Sequence, residues 1–202
     1  TFMSESNGST IFSEAGIQGT AAPTSATLVD AIDAAGADTP NKFTITVPVS
    51  AGGDGVTRQI SIEANDSAVL ALSDVNNWGI AKTTASTDAL KALAIIAAIN
   101  GVVNSAVGFG GAAVGTVLTG GIPGLTAALT GGAGTTKITL TMTAPGVFGN
   151  VVNVLAAVDG FAGAKLLSTA FSGGTAPNHA VPILRGVLLA PSGVILHLSG
   201  NN

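Results

Sequence analysis

Lys42-Phe43-Thr44-Ile45-Thr46-Val47-Pro48-Val49 alternates apolar and polar residues, and Ala51-Gly52-Gly53-Asp54-Gly55 follows closely behind it. Such alternation marks a half-buried strand, because successive side chains on a strand point to opposite faces. Phe43, Ile45, Val47 and Val49 fall on one face, with Thr44 and Thr46 opposite. Pro48 has no N–H to give to a ladder, which predicts an edge strand or a bulge. The glycine-rich segment reads as a hairpin turn. Residues 56–64 then return as a second strand, with Ile60 and Ile62 on one face and Arg58 nearby.

Asn65-Asp66-Ser67 predicts the cap of a short helix ending near Leu72. A second helix is expected from Thr84–Thr87, with Asp88 in its favourable first turn. Leu90, Leu93, Ile96 and Ile99 mark one face, Ile95 and the alanines widen it, and Gly101 ends the run. A helix apolar almost all round is covered on more than one side. Residues 114–118 are a candidate short strand. Residues 137–143 alternate again, with Ile138, Leu140 and Met142 inward and Thr139, Thr141 and Thr143 outward. Ala144-Pro145-Gly146-Val147-Phe148-Gly149-Asn150 is a turn signal. Residues 151–158 and 163–169 supply further strand candidates, and Phe171-Ser172-Gly173-Gly174 closes the unit. Strand runs separated from helix runs indicate an α+β fold, a β-rich domain with one or two packed helices, rather than a doubly wound parallel sheet.

Residues 1–25 read as an N-terminal arm, 26–176 as the α+β domain and 177–202 as a C-terminal hairpin. In that hairpin, residues 181–190 and 194–198 flank Pro191-Ser192-Gly193. A free apolar hairpin would aggregate, so it is expected to pair with other chain. Leu184, Val187, Leu189, Val194 and Leu196 are the expected interface, or the core that an arm completes.

Charge is the second strong signal. Only 9% of the residues are charged, against about 25% in an ordinary soluble protein. No Asp, Glu, Lys, Arg or His occurs from Ala92 to Thr136. Such a chain is expected to be covered by membrane or by neighbouring subunits. Membrane spanning is disfavoured: the best apolar window, from Ala89, is interrupted by Lys91, Asn100, Gly101 and Asn104, and glycine- and proline-rich sequence follows it. The net charge is -4 and the basic residues are scattered, which argues against nucleic-acid binding. Cysteine is absent, so disulfides and thiolate metal sites are excluded.

No catalytic, cofactor-binding or metal-binding constellation is expected, and the chain does not read as an enzyme. Gly110-Gly111 and Gly131-Gly132-Ala133-Gly134 lack the residues that make a phosphate loop and read as turns. His179 and His197 form no H-x-x-x-H pair. Asp30 and Asp33, three apart, read as neighbours on a helical turn with capping roles. Asp54 and Asp66 read as turn and cap residues, and Ser192 as a turn residue without a nucleophile elbow.

The succession from Phe43 to Gly174 resembles a module of tailed-bacteriophage virion proteins. The likeness is carried by the strand pair around Gly-Gly-Asp-Gly, the helix from Thr87 to Asn100, Thr-Leu-Thr-Met-Thr-Ala-Pro-Gly-Val-Phe-Gly-Asn and the closing Phe-Ser-Gly-Gly. The run Ile183-Leu184-Arg185-Gly186-Val187-Leu188-Leu189-Ala190-Pro191-Ser192-Gly193-Val194 is similar to segments of contractile-tail sheath subunits. The resemblance implies a structural subunit located in the virion. Its partners would be copies of itself in a symmetric assembly and other virion proteins, with neither nucleic acid nor membrane, and no cofactor. Capsid decoration is the alternative within that class. A secreted bacterial surface or filament protein binding a host or glycan is the alternative outside it, with Asp54 and Asp66 as calcium candidates. A hydrolase using Asp30, Asp33 or His179 is the third reading.

Overall fold

The computed structural model describes residues 2–4, 10–12, 23–37, 41–64, 74–112, 114–158, 160–161, 165–167, 170–176, 185–189 and 195–199. In chain order the strands are β1 (Phe2–Ser4), β2 (Thr10–Phe12), β3 (Ser25–Asp33), β4 (Asn41–Thr46), β5 (Thr57–Glu63) and β6 (Asn77–Ala81). The helix α1 (Asp88–Asn100) comes next, then β7 (Val107–Phe109), β8 (Leu125–Leu129), β9 (Lys137–Pro145), β10 (Leu155–Val158), β11 (Arg185–Leu189) and β12 (Ile195–Ser199). Short 3-10 turns occupy Val49–Ala51 and Val147–Gly149. The fold is therefore α+β and β-rich, with one α-helix among the described residues. The chain divides into two compact units, residues 24–176 and the two chain ends, 1–23 with 177–202.

Within the 24–176 unit, a five-stranded sheet has the order β10-β4-β5-β6-β7 and a three-stranded sheet the order β3-β9-β8. All neighbouring pairs are antiparallel except β5 and β6, which run parallel. Register builds the apolar rows. Phe43 stands opposite Ile60, Ile60 opposite Trp78 and Trp78 opposite Phe109. In the smaller sheet Leu28 stands opposite Leu140, and Leu140 opposite Ala127. These rows and the inner residues of α1 belong to one buried cluster. The alternation read from residues 42–47 and 137–143 is the pattern observed: Phe43, Ile45, Val47, Ile138, Leu140 and Met142 are all buried.

α1 begins where the sequence predicts. The Thr87 side chain accepts a hydrogen bond from Leu90 N at 3.2 Å, which satisfies one of the first-turn donors. Gly101 ends the helix in a left-handed conformation. It lies so close to Gly121 that a Cβ on either residue would stand 2.2–2.3 Å from backbone atoms of the other turn. Ile122 N donates to Ile99 O at 2.8 Å, and the Asn100 amide both donates to Ala127 O and accepts from Ala127 N, each at 2.8 Å. This staple delivers the chain from the helix into β8. A second asparagine, Asn150, makes the same two-way contact with Gly174 at 2.9 and 3.0 Å, so the closing Ser-Gly-Gly segment is fixed by an amide that imitates a strand.

Several expectations are corrected. Pro48 does not mark an edge: β4 lies between β10 and β5, and Pro48 stands beyond its end, capping a 3-10 turn. Val49 sits in that turn and is exposed rather than inward. On α1, Leu90 and Leu93 are each 43% exposed, whereas Lys91, Ala92, Ala94, Ile95, Ala98 and Ile99 are buried. Close approach favours the alanine side, and Lys91 is tolerated there because its ammonium bonds Ala37 O at 2.9 Å and Asp88 at 2.6 Å. The described residues of 114–118 form no strand. Around 163–169, the described pairing is a single bridge of Leu166 to Ile32. The helix expected at 65–72 lies outside the described residues.

The glycine contact gives a differential prediction. Gly120 has a positive φ with no atom within 4 Å of a built Cβ, while Gly121 adds a backbone collision to its positive φ. Gly120→Ala is expected to cost about 1 kcal/mol, the ordinary left-handed penalty. Gly121→Ala is expected to cost at least about twice that. Urea unfolding followed by fluorescence of the buried Trp78 measures both, and equal costs would refute the close-approach account.

Candidate functional site

The described acidic candidates are Asp30, Asp33 and Asp54. Asp30 and Asp33 lie on β3, not on a helical turn. The register of β3 against β9 breaks between Leu28 and Ile32, and Asp30 takes a φ of 53° in that irregularity. Its Oδ2 is 3.5 Å from Lys137 Nζ. Asp33 stands opposite Lys137 in register, and its Oδ1 accepts from Ala35 N at 2.9 Å. Lys137 thus stands beside the bulge, while the other carboxylate oxygen of Asp30 is buried without a hydrogen-bond partner.

Asp54 has the turn role read from the sequence and a further one that was not. Its carboxylate accepts from Val56 N at 3.0 Å and from both terminal nitrogens of Arg58, one at 2.8 Å. Arg58 is 5% exposed on the inner face of β5, in register with Ile45. The hydrogen bonds from Arg58 lower the Asp54 pKa to about 2 from 3.8; partial burial opposes this, and the Val56 N–H adds to it. An aspartate four residues before an arginine, across a glycine turn, is the signal that could have revealed this pair.

The other candidates are placed as follows. His197 lies on β12 opposite Val187 in register. His179, Asp66 and Ser192 lie outside the described residues. Gly110, Gly111, Gly131, Gly132 and Gly134 all have positive φ, the conformation of turn glycines. No group of three or more His, Cys, Asp and Glu that could hold a metal occurs among the described residues. No helix among them is long and apolar enough to cross a membrane.

The surface is more informative than any polar cluster. Val49 (71% exposed), Phe148 (69%) and Val147 project from the two adjoining 3-10 turns. Leu90 and Leu93 on the helix, and Val102 and Val103 (73%) at its exit, are exposed as well. Beside α1 lies an uncharged depression of about 110 Å³, lined by Thr84, Ala85, Leu90, Leu93, Asn104, Ser105 and Ala106. Periodicity could not find Val49, Val147 and Phe148, because turn positions carry no face, and it placed Leu90 and Leu93 on the inner side of α1.

Of the expected interface residues, Val187, Leu189 and Leu196 lie on the antiparallel pair β11–β12, while Leu184 and Val194 fall outside the described residues. Val187 pairs with His197, Leu188 with Leu196 and Leu189 with Ile195. The same unit contains the pair β1–β2, with β2 lying near β11.

Comparison of the chain with protein families, with curated proteins and with solved structures found no match.

The Asp54–Arg58 pair predicts acid sensitivity. Because the folded pKa lies below the ordinary value, the contribution is complete above about pH 4 and is lost as pH falls towards 2. Asp54→Asn is expected to cost about 2 kcal/mol at pH 7, between the surface and buried ion-pair limits. It should also flatten the pH dependence of urea stability between pH 4 and 2. An unchanged slope would show that the pair does not govern it.

Proposed function

We propose that this chain is a structural subunit of a bacteriophage virion that acts by symmetric self-assembly, as a tail-sheath-like or other outer-shell protein. The observation carrying this reading is the apolar surface left by a unit whose core is already closed. Val49, Val75, Val103 and Phe148 are each about 70% exposed on a chain with only 9% charged residues. Covering apolar surface returns about 25 cal/mol per Å², so several such side chains together supply a stable contact when repeated around a ring or shell.

The virion assignment rests on the sequence likeness of Phe43–Gly174 and of the run from Ile183 to Val194. The outer-shell role fits a surface suited to permanent neighbours: with no Tyr and one buried Trp, the aromatic anchors typical of reversible binding are nearly missing. Glycine and alanine allow close backbone approach instead. Copies of the same chain are the first partners, and other virion proteins are the second.

Negative-stain electron microscopy of the purified chain tests the reading. Rings, tubes or shells of repeated subunits are expected, and their symmetry separates sheath from capsid decoration. Dispersed particles of single-chain size, with calcium-dependent folding or glycan binding, would replace it with the secreted surface-protein reading.

A further inference from the structure

The sequence holds two Asn-Gly pairs, Asn7-Gly8 and Asn100-Gly101. An asparagine followed by glycine is chemically labile, because glycine has no Cβ to hinder attack by its own nitrogen. The deprotonated glycine N adds to the asparagine Cγ, and the bond from Cγ to the amide nitrogen breaks. Ammonia leaves, carrying away the glycine proton, and a five-membered succinimide remains. Water then adds to either ring carbonyl and breaks its bond to the ring nitrogen. The product is aspartate or its β-linked isomer, isoaspartate, with no oxidant or reductant required.

The fold restrains each participant at Asn100-Gly101. Gly101 N–H donates to Ala97 O at the helix end, which opposes loss of its proton. The Asn100 amide donates to Ala127 O and accepts from Ala127 N, each at 2.8 Å. Cyclisation requires that amide to swing from β8 to Gly101 N, so both bonds must break first. The peptide link itself is covered. A Cβ built on Gly121 would stand 2.6 Å from Asn100 C and 2.8 Å from Gly101 N. Asn150 makes a similar two-way contact with Gly174, but Val151 follows it, and a branched side chain hinders the attack. At Asn100 the following residue is glycine because the turn needs a left-handed residue at close quarters. The staple thus demands the labile pair and also protects it.

The same contacts make conversion one-way. An ionised aspartate has no N–H to give Ala127 O, so two acceptor oxygens would face each other. A negative charge at the C-terminal end of α1 is also unfavourable. Isoaspartate adds a carbon to the main chain, where the Gly121 turn leaves no room. We propose that Asn100-Gly101 is a conditional modification site. The amide persists while the helix exit is docked on β8. It converts to aspartate or isoaspartate once that exit opens, and the chain then does not close again. The modification separates chains that have stayed folded from chains that have opened. It goes beyond the self-assembly reading and stands or falls apart from it.

Peptide mass spectrometry of the full chain tests this, with samples held at mildly alkaline pH in buffer and in urea beyond the unfolding midpoint. Each conversion replaces an amide NH2 by OH and is read as that mass shift. In urea, Asn100 and Asn7 are expected to convert at similar rates, since both precede glycine. In buffer, Asn100 is expected to convert at least about tenfold more slowly than in urea, the factor given by an opening free energy of about 1.4 kcal/mol. Equal rates in buffer and urea would overturn the protection. Asn100→Asp, refolded from urea, tests the one-way step without conversion at Asn7. A lower urea midpoint by Trp78 fluorescence, or failure to recover the native signal, is expected. An unchanged midpoint would overturn it.

Discussion

The close approach of Gly101 to Gly121 is the constraint on which the 24–176 unit depends. It lets the exit of α1 touch the turn that leads into β8, so Ile122 can bond Ile99 and Asn100 can clamp Ala127. Through β8 the contact reaches β9 and β3, since each is paired to the next. A side chain at either glycine would push the helix from the smaller sheet and open the core that Ile95, Ile99, Leu140 and Met142 share. A chain with few large aromatics gains cohesion from backbone proximity, and its 28 glycines make that proximity available.

The parts of the fold legible in the sequence are those where one face is buried and the other is wet. Lys137–Thr143 and Lys42–Val47 show period two because the register fixes which residues face inward. The boundaries of α1 were legible because Thr87 and Gly101 cap it with their own chemistry. The buried face of α1 was not. Its inner side is marked by alanines rather than leucines, and Lys91 is neutralised by Asp88 and Ala37, so hydrophobicity pointed the wrong way. β3 was missed because its break between Leu28 and Ile32 interrupts alternation, and Asp30 and Asp33 then mimic helical spacing. β6 and β7 are too short, and too rich in glycine, for a pattern to emerge.

Less of the candidate surface was legible. Charge depletion predicted covered surface without locating it. The exposed residues sit on 3-10 turns and at a helix exit, where no period assigns a direction, and on α1, where the period assigned Leu90 and Leu93 inward. Two of the described polar candidates take part in local structure: Asp54 anchors the buried Arg58, and Asp30 pairs with Lys137. These features fit the proposed reading, in which a unit that completes its own interior has its exterior covered by neighbouring copies.

That claim is tested most directly by sedimentation velocity of the native chain over a wide concentration range. The account predicts that the single-chain species gives way to discrete multiples of its mass as concentration rises, with little response to salt because the contacts are apolar and backbone-mediated. A single-chain mass at every concentration would contradict it.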